Sequence, residues 1–421
     1  MKDIVIKNEL KKVVDEAAHR IESDAAQNQA LRKAIHIVET FLHKRKRVCY
    51  GGQAINAQLP EKDKFYNAET SLPDYDFFSP DAKADMDELV EEFRLAGYTE
   101  ISRRFGIHEG TAKLYVNFMP VADITQVIPD FYDAILEKSI IIDEIHYTDP
   151  IFLRMMMYLE LSRPRGQVAR WTKVYERLTV HNQAHPLKKC PFVPYDTSRA
   201  AEDVRPFLVR YVITNARALL SPDIYILYSN KSGSGRMKFL LNSADEEKVP
   251  TVFLSPDAEK DARAIADEIQ ARKESIVGYQ NILPAMVALY HGSSLVGLVV
   301  QQEACHSILS MSLTKGRKLN VASLETMLTF LIGLYYRKNE KGLLMSEAAL
   351  LCLIKLYIDL SDRFKRRPTK LIPAFPIECL GYQTTFASLL RAKGARIEAA
   401  RQKISATRKI SKRSLRMTRR G

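Results

Sequence analysis

Two carboxylates two residues apart, Asp74 and Asp76, sit in the run Ser71-Leu72-Pro73-Asp74-Tyr75-Asp76-Phe77-Phe78-Ser79-Pro80-Asp81. As a strand, this run projects both acids from one face, their Cα atoms roughly 7 Å apart, and turns Tyr75 and Phe77 the other way into a core. Neighbouring acids repel each other unless a cation lies between them. Hard oxygen ligands at this spacing suit Mg2+ (or Mn2+), which keeps waters and shares ligands with substrate phosphates. A two-metal site needs a third acid, and Asp123 is the candidate. It follows the alternating run Leu114-Tyr115-Val116-Asn117-Phe118, in a segment that reads as one neighbouring strand.

The elements that must position these acids can be read around them. Val48-Cys49-Tyr50-Gly51-Gly52 reads as a strand, a glycine turn and the start of a helix. Backbone N–H groups at such a helix start favour an anion such as a triphosphate. Residues 1–45 read as helices, with Val13, Ala17 and Ile21 and then Leu31, Ile35, Val38 and Leu42 spaced to pack on the back of the sheet. Lys44-Arg45-Lys46-Arg47 is either a solvated cluster or a guide for RNA or triphosphate. Asp81 to Phe93 is a helix whose Met86, Leu89, Val90 and Phe93 share a face. Residues 99–108 and 112–124 read as two strands joined at Glu109-Gly110. Asp149-Pro150 opens a further helix, Pro tolerating an early position where its missing N–H costs little. Arg154 is the one cation on that apolar helix, and Lys173 stands on the next. Both are candidates for neutralising a nucleotide's charge, with a surface salt bridge as the rival role.

Gly51-Gly52, then Asp74-x-Asp76, then a lone Asp123 on a later strand resembles the polymerase-β-type nucleotidyltransferases. The wording around these residues is most similar to the poly(A) polymerase catalytic subunits of large DNA viruses. The motifs cover roughly residues 45–180, and Gly51-Gly52-Gln53 departs from the Gly-Ser of many relatives. The resemblance implies a template-independent enzyme adding AMP from ATP to the 3′ end of RNA, with Asp74, Asp76 and Asp123 as metal ligands and Gly51 and Gly52 against the triphosphate. It also implies a viral protein acting in the host cytoplasm and virion, with RNA, ATP and either a second copy or a viral processivity subunit as partners. Another nucleotidyltransferase, acting on RNA ends or small molecules, and a non-catalytic RNA-binding module stay open as alternatives.

The chain has 421 residues and 46% apolar content, enough for two or three domains with a sizeable core. Its net charge of +13 is uneven: residues 391–421 hold twelve Lys or Arg and one acid, leaving the rest near neutral. Five cysteines without CxxC spacing read as free thiols in a reducing compartment. The acidic start and short apolar runs predict neither a signal peptide nor a membrane span, hence a soluble intracellular protein.

The second half echoes the first. Ser79-Pro80-Asp81-Ala82 recurs as Ser255-Pro256-Asp257-Ala258, each closing an apolar strand and opening a helix. This register sets Pro250 opposite Asp74 and Val252 opposite Asp76. Gly233-Ser234-Gly235, after Ile224 to Tyr228, parallels the glycine turn. Tyr357 to Ser361 parallels Tyr158 to Ser162, setting Leu353 opposite Arg154. The counterpart of Asp123 falls near Val321 to Ser323, where there is no Asp. The expected fold is α+β: a mixed-sheet nucleotidyltransferase domain with helical elaborations, plus a second, degenerate nucleotidyltransferase-like domain. The expected division is N-terminal helices 1–45, catalytic domain 46–180, linker 181–200, non-catalytic domain 201–390 and basic tail 391–421. The tail reads as a helix passing into a disordered basic run, suited to phosphate contact without base reading or to targeting.

Overall fold

The computed structural model describes residues 2–67, 69–188, 199–221, 225, 250–279, 282–313, 316–337 and 347–417. Helices α1 (Lys2–Gln27) and α2 (Gln29–Arg45) meet at Asn28, whose side chain caps α2 by accepting from the Leu31 amide. Helix α2 buries Leu31, Ala34, Ile35, Val38, Phe41 and Leu42 against the first sheet. Helix α1 does not pack there: Ile6, Leu10, Val13, Val14 and Ile21 are 55–70% exposed. The periodicity marked a helix correctly but could not say whether any surface comes to meet it.

The first sheet holds β1 (Val48–Tyr50), β2 (Tyr75–Ser79), β3 (Ile101–Phe105), β4 (Thr111–Val116), β5 (Met119–Gln126), β6 (Ile140–Ile142) and β7 (Ile145–Tyr147), in the order β3-β4-β5-β2-β1-β7-β6. Helices α3 (Gly51–Ala57), α4 (Ala82–Leu95) and α5 (Pro129–Glu137) are interleaved with it, and α6 (Pro150–Leu161) and α7 (Trp171–Ala184) follow. Two strands were expected between residues 99 and 124, and three are present. Asn117 and Phe118 both take positive φ, at 49° and 65°, and reverse the chain between β4 and β5. The unbroken apolar alternation hid this turn, although Asn is the side chain that best tolerates the left-handed conformation.

The second half contains α8 (Arg199–Thr214), β8 (Ala218–Leu219), β9 (Thr251–Ser255), α9 (Ala258–Ile269), β10 (Arg272–Ile276), β11 (Met286–His291), β12 (Ser294–Gln301), β13 (His306–Ser312), β14 (Lys318–Ala322), α10 (Leu324–Tyr335), α11 (Glu347–Arg366), β15 (Cys379–Leu380) and α12 (Phe386–Met417). Its sheet order, β10-β11-β12-β9-β8-β14-β13-β15, repeats the first sheet strand for strand and adds β15 at one edge. The repeat extends to single hydrogen bonds. Ser79 Oγ accepts from the Asp81 amide, and Ser255 Oγ from that of Asp257. Gln126 Oε1 accepts from Ala82 N, and Gln301 Oε1 from Ala258 N. Arg47 pairs with buried Asp85 at 2.6 Å, and Arg217 with buried Asp261 at 2.6 Å. This α+β chain is a mixed-sheet domain followed by a second domain of the same strand order.

The register corrects three correspondences. Asp76 pairs with Asp123 as Val252 pairs with Leu298, so Leu298 is the counterpart of Asp123, not Val321 to Ser323. Cys49 pairs with Phe77 as Leu219 pairs with Phe253, so the glycine turn corresponds to the residues just after β8. Gly233 to Gly235 lie outside the described residues. Asp149 caps α6 as Ser323 caps α10, which sets Leu328 opposite Arg154. The Tyr-x-x-Leu-Ser echo at Tyr357 lies one helix later, because a five-residue apolar pattern recurs on any amphipathic helix.

The homologous helices α6 and α10 pack together. Phe152 and Tyr336 meet edge to face at 5.2 Å, and the Tyr336 hydroxyl donates to buried Asp149. One apolar core therefore runs through both halves. The expectation of free thiols is overturned. Strand β15 lies against β13, Ser307 opposite Cys379, and Cys305 and Cys379 are disulfide-bonded with Cα atoms 5.3 Å apart. Cys352 is also disulfide-bonded. Cys49 is free and buried, and Cys190 lies outside the described residues. The partners Cys305 and Cys379 stand 74 residues apart, so no local spacing marks them; the sheet register brings them together. The tail is helical through Met417, and Arg396 donates to the Gly106 and Ile107 carbonyls. Among the described residues, no helix is long and apolar enough to cross a membrane.

Candidate active site

Four adjacent strands set four side chains in one row. Tyr50 pairs with Asp76, Asp76 with Asp123, and Asp123 with Lys113. Asp74 sits one step before β2, on the same face as Asp76. Tyr75 and Phe77 point the other way and are buried, as the alternation requires. The three acids of the sequence reading are thus neighbours on one surface.

Their surroundings favour a cation. Burial, then the charges of Asp74 and Asp123, raise the Asp76 carboxyl to about 7, while Lys113 and Arg170 pull it back. Asp74 is raised by partial burial and then by Asp123. Asp123 is 7% exposed, and its Oδ1 has no hydrogen-bond partner. A buried carboxylate oxygen without a donor is costly unless a ligand meets it. Its other oxygen is taken: Lys113 Nζ bonds Asp123 Oδ2. Burial acts to lower the Lys113 pKa, yet the bond to Asp123 and the charges of all three acids hold it above its ordinary value. Among the described residues, no three acidic, His or Cys side chains stand gathered at coordination distance. The donors fit Mg2+ or Mn2+ in kind and in unsatisfied valence, with Lys113 already holding one oxygen of Asp123.

The glycine turn abuts these acids. Gly51 has φ +78°, and a Cβ there would lie 2.7 Å from Asp76 Oδ2. A Cβ on Gly52 would lie 2.9 Å from the Tyr66 hydroxyl and 3.0 Å from Arg177 Nη1. Arg177 donates to that hydroxyl at 2.8 Å and stacks over Phe65 at 4.2 Å. Phe65 and Tyr66 belong to the segment between α3 and Asp74, which is pinned where Asn56 Oδ1 accepts both of their amides. Lys173 is exposed one turn before Arg177 on α7, and Arg170 lies three residues earlier again, so the three share a face. Arg170 pairs with Glu160 at 3.2 Å and is near enough to depress Asp76.

Gly51, Gly52, Asp74, Asp76 and Asp123 are brought together, and Lys173 stands on the cationic face beside them. Arg154 is not brought to them by any hydrogen bond. It is 2% exposed, and its guanidinium donates to Asn182 Oδ1 and the His185 carbonyl, bracing α6 against the end of α7. Burial lowers its pKa. Lys44, Arg45 and Arg47 are committed to Glu88, Glu92 and Asp85 of α4, so they fasten a helix. Three residues of the site escaped the sequence reading: Lys113, Tyr66 and Arg177. Lys113 would have followed from the Asn117-Phe118 turn, which folds β4 back on β5 and sets Lys113 beside Asp123.

Comparison with known proteins bears out the family resemblance. Residues 36–167 match the family model of the poly(A) polymerase catalytic subunit, a segment that includes all three acids and both glycines. The chain is 32% identical over 153 residues to a candidate poly(A) polymerase catalytic subunit of Acanthamoeba polyphaga mimivirus, covering 35% of this chain and 25% of that protein. It is 27% identical over 187 residues to a candidate catalytic subunit of African swine fever virus, covering 43% of this chain and 38% of the relative. These alignments span between a quarter and two fifths of the relatives' length. Among solved structures, the Megavirus polyadenylate synthase shares the fold, with TM-score 0.77 and 18% identity over 94% of this chain and 83% of that one.

Proposed function

We propose that this protein is a polynucleotide adenylyltransferase that extends the 3′ end of RNA with AMP from ATP. The observation that carries the proposal is the Asp76–Asp123 pair in strand register, with Asp74 beside it and the Gly51 backbone against Asp76. Asp74 and Asp76 would hold both divalent ions, and Asp123 the one nearest the 3′-hydroxyl. When bound, the ions supply charge neutralisation at the triphosphate and a lower pKa at the attacking hydroxyl.

The chain's own groups do the rest. The Gly51-Gly52 backbone, free of side chains, approaches the triphosphate. Lys173 and Arg177 neutralise its outer phosphates, and the stack on Phe65 fixes the Arg177 guanidinium. Asp123 takes the proton of the 3′-hydroxyl on Oδ1, the oxygen without a partner. The 3′ oxygen attacks the α-phosphorus, a new P–O bond forms, and the bond to pyrophosphate breaks. Nothing of this kind can occur in the second half, where Pro250, Val252 and Leu298 replace the acids. That half forms the other wall of an RNA cleft, and the basic helix α12 contacts RNA phosphates. Asp123→Ala should abolish extension of an RNA primer while leaving the circular dichroism spectrum and thermal transition close to the parent. Equal activity at matched Mg2+ overturns the assignment.

A further inference from the structure

We propose that Lys113 is a resident counter-ion of the three-acid site, occupying Asp123 in the metal-free protein and yielding it only when a divalent cation arrives. The inference rests on the metal-site reading above. Lys113 Nζ holds Asp123 Oδ2 from the neighbouring strand, in direct register, while Asp123 Oδ1 has no partner. The ammonium also lies close enough to act on Asp74 and Asp76. It is the one ammonium among the described residues that is bonded to any of the three acids, and while it holds Asp123 they are not gathered at coordination distance.

The degenerate half supplies an internal control. A purely structural ion pair should survive the loss of catalysis, and one does: Arg47–Asp85 is matched by Arg217–Asp261, each arginine preceding its first strand. The Lys113–Asp123 pair does not survive. In the second half, the row Asp76, Asp123, Lys113 becomes Val252, Leu298, Ala288, in the same register. The lysine has gone with the acids, while the apolar framework and the other buried ion pair stayed. Lys113 therefore belongs to the charge set of the site rather than to the frame of the sheet.

The consequence is functional. A single ammonium near three carboxylates lowers the site's affinity for a bare divalent ion, because it offsets part of the acids' negative charge and repels the second cation. A metal ion already carried by a triphosphate brings anionic oxygens that can receive the displaced ammonium. Lys113 thus favours loading of metal together with nucleotide over loading of metal alone.

The test uses the full chain, freed of metal, and Mn2+ alone as probe, with free Mn2+ read by electron paramagnetic resonance. Lys113→Met, which keeps the length and removes the charge, should bind Mn2+ about tenfold tighter or more, given what a unit charge at ~4 Å contributes even when well screened. Lys113→Arg should bind like the parent. Lys113→Met should also melt earlier than the parent without metal and regain that loss on adding Mn2+. Mn2+ affinity unchanged or weakened in Lys113→Met, with Asp76→Asn abolishing binding, overturns the proposal while leaving the metal site intact. Mn2+ binding to the parent that Asp76→Asn does not alter overturns the metal-site reading itself, and this proposal with it.

Discussion

Gly51→Ala separates backbone strain from catalytic geometry. The substitution places a side chain at φ +78°, a conformation that costs an L-residue about 1–2 kcal/mol. It also sets a methyl 2.7 Å from Asp76 Oδ2, with the carboxyl carbon and Cβ of Asp76 3.5 and 3.6 Å away. Ordinary contact requires the carboxylate to retreat by roughly 0.7 Å, and a displacement of about 1 Å at a reacting centre can cost on the order of 10²-fold in rate. Gly97 is the matched control. Its φ is +90°, and a Cβ there meets nothing within 4 Å. Gly51→Ala and Gly97→Ala should each lower the thermal midpoint by a few degrees, at about 2–4 °C per kcal/mol. Only Gly51→Ala should lose turnover, by about 30- to 100-fold in single-turnover primer extension at saturating ATP and Mg2+. If Gly51→Ala extends RNA within about threefold of the parent, the close approach of backbone to Asp76 is not part of catalysis, and the reasoning fails.

Two further outcomes are expected. Arg177→Met removes the cation at the glycine turn and should raise the KM for ATP about tenfold with a smaller change in kcat, the pattern of lost uniform binding; an unchanged KM would move the triphosphate elsewhere. His181 and His306 are pushed down to about 3 by burial and then by nearby Arg154 and Arg163 respectively. Both must be neutral in the fold. Their contribution to stability is present above about pH 6.5 and is lost as pH falls toward 3, each by up to about 1.4 kcal/mol per pH unit. The thermal midpoint should therefore fall between pH 6.5 and 4.5, with a shallower slope in His181→Gln/His306→Gln; an unchanged slope removes these groups as its cause.

The acid-bearing surface was largely legible because it depends on period and chemistry. Two acids at spacing two must share a strand face, and Gly51 is the residue that a left-handed turn against Asp76 demands. The duplication was legible through Ser-Pro-Asp-Ala, since those residues make the same local bonds in both halves. What stayed hidden depends on contacts between distant segments. Arg177 meets Gly52 across more than a hundred residues, and Cys305 meets Cys379 only through the β13–β15 pairing. Arg154 shows the opposite failure: a lone cation on an apolar helix looked like a ligand group, and is a buried brace for Asn182 and His185. The glycine-turn correspondence at Gly233 was misplaced because composition does not carry strand order, which the pairing of β8 with β9 supplies.

The most direct measurement is extension of a short labelled RNA with Mg2+ and each nucleoside triphosphate in turn, beside the Asp74→Ala/Asp76→Ala double variant. If the acid row is the site of adenylyl transfer, ATP alone gives long products and the variant gives none. Extension that survives the double substitution, or that uses all four nucleotides equally, would contradict it.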